Sequence, residues 1–428
     1  MPQLTILQDT FFKKSTAQLS KLGNADKFAV KAGQTFEVVY AYPVADHILV
    51  RAKQRIGSVG KLGYFFAPRV RVQTEEIRGV WITNTDSEIL RSPTALREAL
   101  PRLKALGINT LYPVVWQRGY TLYPSEVARQ FMGTAVMPNS PYERRDMLQE
   151  LIQLAAPMGF RIIPWFEYGL MVSPDTPIDR QRSPLITLAR NGSKFRIRST
   201  TGRPDANIWM NPCHPDVQKF LVDLIAEVVS QYAIDGIQLD DHFAFPQELG
   251  YDRFTQDLYR SENRTRTVPL NHTDPAWTRW ACSKMTNLLT RIFRAVKAKD
   301  WDCMISISPN PLTFSIQQSM ADWRTWEQIG LVDELVLQVY RDSLTQFTSE
   351  LEKLEVKQVR DRRPVIAGVM TGQSDWVIES SLIRASIRAA RLRNYAGSAC
   401  FFYETLFHHK LVPQRVVRNQ NELQSLFT

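Results

Sequence analysis

The sequence predicts an α/β chain of two domains, a (β/α)8 TIM-type barrel preceded by a small all-β domain. Three observations carry this reading. Its 428 residues exceed one ordinary domain and suit one large and one small. Up to about residue 75, short β-rich runs are separated by Gly and Pro turns. Beyond Thr74, short apolar strands alternate with amphipathic helices, the signature of parallel β/α units.

Residues 1–75 are expected to form the small β domain, an accessory to the barrel at 76–428. Its clearest runs are Thr35-Phe36-Glu37-Val38-Val39-Tyr40 and His47-Ile48-Leu49-Val50. The segment Lys61-Leu62-Gly63-Tyr64-Phe65-Phe66-Ala67-Pro68 resembles the closing part of small SH3-like modules.

Eight strand cores follow: Gly79-Val80-Trp81-Ile82, Thr110-Leu111-Tyr112-Pro113-Val114, Arg161-Ile162-Ile163-Pro164-Trp165, Gly236-Ile237-Gln238-Leu239-Asp240, Met304-Ile305-Ser306-Ile307-Ser308, Leu335-Val336-Leu337-Gln338-Val339-Tyr340, Val365-Ile366-Ala367-Gly368-Val369 and Ala399-Cys400-Phe401-Phe402-Tyr403. Eight such units close a barrel. Between them, Pro215 stands at a first-turn position, and Val217, Phe220, Leu221, Leu224, Ile225, Val228, Val229 and Tyr232 form one buried stripe. A second stripe runs from Trp277 and Trp280 through Met285, Leu288, Leu289, Ile292 and Phe293 to Val296. Such stripes pack against a barrel rather than hold a cofactor. Two connections, about 168–214 and 241–275, are long enough to carry function, and both follow the carboxyl ends of strands, where this fold places its chemistry.

The fourth strand ends in two carboxylates, within Asp235-Gly236-Ile237-Gln238-Leu239-Asp240-Asp241-His242-Phe243. Alternate side chains share a face, so Gln238 and Asp240 point into the barrel while Ile237 and Leu239 face the helices. An acid after a strand often caps the next helix, but the next clear helical pattern lies some thirty residues on. On the third strand the same parity pairs Trp165 with Glu167. Adjacent strands are about 4.7–4.9 Å apart, so acids at these tips can flank one bond. Glycoside hydrolysis needs such a pair, one carboxyl to protonate the leaving oxygen and one carboxylate to attack or to activate water. A salt bridge to an Arg of the long loop is the structural alternative for Glu167. Asn310 after the fifth strand, Gln338 and Tyr340 on the sixth and Glu404 after the eighth converge on the same end. Trp116, Tyr120 and Tyr123 follow the second, where flat rings could stack on sugars.

Other chemistries lack their motifs. There is no dinucleotide or phosphate-binding glycine loop, no zinc-protease His-Glu-x-x-His and no Gly-x-Ser-x-Gly elbow. Six histidines, with His408-His409 adjacent, show no metal-ligand spacing, so neither metal nor cofactor is expected. Cys213, Cys282, Cys303 and Cys400 are scattered and read as reduced thiols. The net charge of +10 raises a nucleic-acid reading. The basic residues are spread over helices and the barrel mouth is acidic, so no nucleic-acid partner is expected. No apolar run is long enough to span a membrane, and Met1-Pro2-Gln3-Leu4-Thr5 has neither the charged nor the apolar region of a leader. The expected location is cytoplasmic if Met1 is the natural start, periplasmic or wall-associated if a leader has been removed.

Several blocks, in order, resemble one family: Arg78-Gly79-Val80-Trp81, Gly107-Ile108-Asn109-Thr110, Tyr120-Thr121-Leu122-Tyr123-Pro124-Ser125, Trp209-Met210-Asn211-Pro212-Cys213-His214-Pro215-Asp216-Val217, Asp235 to Asp241, and Gln338-Val339-Tyr340. They are similar to the glycosyl-hydrolase-like family 10 of bacterial barrel proteins over roughly 76–405. The resemblance implies a barrel glycosidase, some relatives acting on cell-wall glycan strands. It puts Asp240 and Asp241 at the family's paired acids, and Asn211 and His214 in its polar loop before the third barrel helix. His242 replaces an aromatic that usually follows the two acids, and Glu167 stands where relatives commonly carry a different polar residue.

The expected function is hydrolysis of a glycan polymer, with the peptidoglycan backbone as one substrate. Catalysis would fall to Asp240, Asp241 and Glu167. Trp116, Tyr123, Trp165, Asn211, His214, His242, Asn310, Gln338, Tyr340 and Glu404 would bind substrate. The alternative is a barrel that binds carbohydrate without cleaving it.

Overall fold

The computed structural model describes residues 3–73, 75–197, 202–373, 376–407, 422, 426 and 427; His408 and His409 lie outside them. The chain divides into two compact units, Met1–Ile77 with Val356–Pro364, and Arg78–Glu355 with Val365–Thr428.

In the first unit, seven strands form one sheet: β1 (Gln3–Ile6), β2 (Thr10–Lys13), β3 (Lys27–Val30), β4 (Thr35–Val44), β5 (His47–Ile56), β6 (Gly60–Phe66) and β7 (Val70–Gln73). Their order is β3-β2-β6-β5-β4-β1-β7. Alternation puts one face inward, where Leu4, Ile6, Phe12, Val38, Val50 and Phe65 build a core of their own. Ring contact between Phe12 and Phe65, centroids 4.8 Å apart, lies within it.

The second unit is the barrel. Its strands are Ile77–Ile82, Thr110–Pro113, a third in two pieces (Arg161–Ile162 and Trp165–Phe166), Gly236–Asp240, Met304–Ser308, Glu334–Gln338, Val365–Met370 and Gly397–Phe401. All their pairings are parallel. The third strand splits around Pro164, which has no N–H to give to a ladder. Its first piece pairs Ile162 with Leu111 of the second strand, and its second pairs Trp165 with Gln238 of the fourth. That double engagement closes the ring. Gly236 is required by close approach, because a Cβ there would stand 2.7 Å from the Met304 carbonyl oxygen.

Helices cover the strands as the apolar stripes predict. Pro215–Gln231 is capped by His214 and buries Val217, Phe220, Leu221, Leu224, Ile225, Val228 and Val229. Pro275–Lys299 buries Trp277, Trp280, Met285, Leu288, Leu289, Ile292 and Val296 of the second stripe. One helix departs from expectation. Arg253–Asn263 stands inside the connection read as open, N-capped by Asp252, only twelve residues past Asp241. It buries Thr255 and Tyr259 alone, too narrow a stripe for the helical period to be visible.

The barrel interior holds a polar chain rather than apolar layers alone. Trp81 Nε1 donates to Gln238 Oε1 (2.7 Å), Gln238 Nε2 to Ser306 Oγ (3.0 Å) and Ser306 Oγ to Glu334 Oε1 (3.0 Å). Tyr112 OH adds a bond to Glu334 Oε1 (3.2 Å), and Arg161 pairs with Glu334 Oε2. Glu334→Ala is expected to destabilise the fold by about 3 kcal/mol, because the Arg161 charge and two hydroxyls lose their partner inside the barrel. The midpoint of urea unfolding measures this; an unchanged midpoint would show that the network carries no net stability.

Candidate active site

At its tip the fourth strand turns sharply, and the turn itself organises the acids. Asp240 is 7% exposed and accepts three bonds: Trp165 Nε1–H at Oδ2 (3.1 Å), the His242 backbone N–H at Oδ1 (2.9 Å) and, through its own carbonyl, Phe243 N–H (3.1 Å). Asp241, next in the chain, faces a different set. Asn310 Nδ2 donates to its Oδ2 (2.8 Å) and Gln338 Nε2 to its Oδ1 (3.1 Å), Gln338 being fixed in turn on the Ser308 carbonyl (2.8 Å).

Glu167 extends the third strand beside them. Its Oε2 is closed to solvent and has no hydrogen-bond partner. The following Gly169, at φ +49°, lets this loop press on the fourth: an added Cβ would lie 2.6 Å from the His242 carbonyl oxygen, and Leu170 N–H donates to that same oxygen (3.0 Å). His242 closes the contact from the other side. Its Nδ1 lies 3.0 Å from the Glu167 carbonyl oxygen, an acceptor only, so Nδ1 carries the proton.

Trp81, Trp165, Glu167, Asp240, Asp241 and His242 line one cavity of about 200 Å³, completed by Gln338, Tyr340, Met370, Gln373 and Phe401. Burial and the neighbouring Asp240 charge push Glu167 up to about 8. Burial also raises Asp240, to about 6, with the His242 charge and hydrogen bonds holding it back. For His242, burial pulls the value down but Asp241, Asp240 and Glu167 override it and raise it to about 10, so the ring is an imidazolium at neutral pH. Tyr340, pushed well above the ordinary tyrosine value by burial and then by Asp241 and Asp240, stays a neutral hydroxyl.

Of the residues singled out from sequence, Asp240, Asp241, Glu167, Trp165, His242, Gln338 and Tyr340 meet here, with Asn310 bonded to Asp241. The others have internal work instead. Trp116 is fully buried, its Nε1 on the Gly169 carbonyl (3.0 Å) and its ring edge-on to Phe220. Tyr123 is fully buried with its hydroxyl 3.5 Å from Glu227 Oε2. Asn211 bonds Asp252 and Thr255 (3.0 and 2.8 Å) and anchors the long loop to the helix Arg253–Asn263. His214 accepts Asp216 N–H as a helix cap (3.2 Å), and Glu404 accepts from Ser87 Oγ and Glu88 N–H (2.8 and 3.1 Å). These five make internal contacts and do not line this cavity, and a substrate contact by any of them stays a proposal.

Four lining residues went unread: Trp81, Met370, Gln373 and Phe401. Counting by twos along the first and eighth strands from Gly79 and Ala399 reaches Trp81 and Phe401; Met370 and Gln373 end a strand with no distinguishing pattern. Against the expected absence of metal ligands, Asp240, Asp241 and His242 each bring one potential ligand atom within 4.8 Å of the others. As an imidazolium His242 carries protons on both ring nitrogens and offers a ligand atom only after losing one.

Residues 76–386 match the family described as Glycosyl hydrolase-like 10. The chain belongs to the glycosyl hydrolase-like 10 family. Among curated proteins it is similar to the glycosyl hydrolase DigH of Escherichia coli strain K12, 24% identical over 296 residues. That match takes in 65% of this chain and spans 65% of the length of the relative. Among solved structures, the glycoside hydrolase domain of PgaB (BpsB) from Bordetella bronchiseptica superposes with a TM-score of 0.57 at 12% identity, covering 79% of this chain and 99% of that one. The catalytic domain of a β-amylase from Paenibacillus polymyxa gives 0.55 at 10% identity, over 83% and 98%. At such identities the likeness concerns the fold, and both neighbours are glycosidase barrels. No helix among the described residues is long and apolar enough to cross a membrane.

Proposed function

We propose that this glycosyl hydrolase-like 10 member cleaves glycosidic bonds of a glycan polymer with Glu167 and Asp240 as its working pair. One observation supports this most: two carboxyl groups share one cavity but differ in proton affinity, Glu167 near 8 and Asp240 near 6. Between those values one is an acid and the other a base, the division of labour that glycoside hydrolysis needs. Glu167 gives its proton to the glycosidic oxygen as the bond to the anomeric carbon breaks. The Asp240 carboxylate meets the anomeric carbon, or deprotonates the water that does. Asp241, oriented by Asn310 and Gln338, and the His242 imidazolium hold the sugar ring and the carboxylates in place. Trp81 and Trp165 supply flat apolar walls.

The substrate we propose is a β-linked glycan, with the amino-sugar backbone of peptidoglycan as the first candidate. Release of reducing ends from denuded peptidoglycan and from a panel of other glycans tests it. The rate, as kcat/KM, should rise with pH as Asp240 ionises through about 6 and fall as Glu167 loses its proton through about 8. Binding without any release of reducing ends would identify a carbohydrate-binding barrel instead.

A further inference from the structure

The cavity around Glu167 and Asp240, at about 200 Å³, lies below the usual 300–1,000 Å³ of a small-molecule site. It suits a single sugar ring, so a polymer must find further contacts outside it. A second cavity, of about 350 Å³, stands on the same end of the barrel, built from the loops after the first and second barrel strands, the latter running on to the helix Met147–Ala155. Arg118 joins the two. It lines the second cavity, while its charge acts on Glu167 and it hydrogen-bonds Tyr168.

Three features of this cavity point to a ligand, although the Gln117 amide also donates through Nε2 to Thr85 Oγ1. Gln117 is 1% exposed, yet its Oε1 has no hydrogen-bond partner, and Asn84 Oδ1 in the same wall has none either. Buried acceptors left unpaired are costly, so two in one wall point to donors that arrive from elsewhere. Arg118 is held at φ 58° ahead of Gly119 at φ 88°, a turn whose first place suits Asn or Gly better than Arg. Its side chain lines the cavity and hydrogen-bonds Tyr168. Arg91 and Tyr142 complete a lining of donors, acceptors and one ring edge.

We propose that this cavity is a second sugar subsite, binding the ring next to the one held at Glu167 and Asp240. Each ring hydroxyl donates one bond and accepts others. On entry of a ring, the Asn84 and Gln117 amides turn their oxygens to its hydroxyl or acetamido N–H groups, and Arg118 and Arg91 donate to its oxygens. The chain then discriminates by length, favouring two or more linked rings over one. This rests on the glycosidase reading above for the identity of the ligand.

The test uses the full chain with β-linked N-acetylglucosamine oligomers of one to four rings, measured by titration and by turnover, against an activated aryl glycoside of a single ring. In the wild type the affinity should rise at least about tenfold from one ring to two or three. In Asn84→Ala and Gln117→Met that ratio should fall about tenfold, with Gln117→Met melting close to wild type because the bond lost to Thr85 Oγ1 is offset by removal of an unpaired buried oxygen. A length preference that survives both variants, or its absence in the wild type, overturns the proposal. If nothing is cleaved but the Asn84-dependent length preference in binding is present, the subsite stands and the hydrolytic reading falls.

Discussion

Asp240→Asn is expected to lower kcat on the natural glycan by about three orders of magnitude, roughly 4 kcal/mol of barrier, while leaving the barrel folded. The amide is nearly isosteric and keeps one acceptor oxygen, which serves either the Trp165 or the His242 N–H, so one of the two bonds is lost while the packing changes little. It cannot, however, act as nucleophile or base. Stability should move the other way. The Asp240 pKa is raised on folding, from 3.8 to about 6, so its charge opposes the fold increasingly as pH climbs through that interval, and the penalty is complete above it. The neutral variant escapes this. Its melting temperature should match the wild type near pH 4 and equal or exceed it at pH 7. A variant that keeps more than half the wild-type rate would move the proposed role to Asp241.

Glu167→Gln is expected to separate two classes of substrate. On a natural glycan, whose leaving oxygen needs a proton, the rate should fall by about two to four orders of magnitude. On an activated aryl glycoside, which leaves without protonation, the loss should be small. The alkaline limb near 8 should flatten, since the group that titrates there has been removed, while the acid limb near 6 stays, because Glu167 is already neutral where Asp240 ionises. Equal losses on both substrates would leave the third strand with a binding role and assign the proton to another group. Unlike a salt-bridged acid, Glu167 leaves its Oε2 unpaired, as a proton donor awaiting a substrate oxygen would.

Much of this site was legible in the order of residues because strand parity is local. Gln238 and Asp240 share the inward face for the same reason that Trp165 and Glu167 do, and the barrel follows from the alternation of strands with stripes such as Val217 to Val229. The aromatic and polar residues in the loops were less legible for a physical reason. A tryptophan or asparagine after a strand can face a ligand or the chain, and only the finished packing decides. Trp116 was claimed by Phe220 on a helix a hundred residues away, and Asn211 by Asp252 and Thr255 of a helix whose pattern was too sparse to notice. Arg118 could not have been found at all, since its position beside Glu167 depends on a turn in a left-handed conformation that its own residue type disfavours.

Sequence by itself determined the β/α alternation, the family, and which acids stand at strand tips, because all three depend on spacing along the chain. The tertiary structure alone decided that Glu167 holds its proton near 8 while Asp240 releases its own near 6, and that His242 stays charged between them. Proton affinity is set by burial and by charges within a few ångströms. Here those neighbours, Glu167 and the Asp240-Asp241-His242 turn, come from strands separated by more than seventy residues, and only closure of the barrel brings them together.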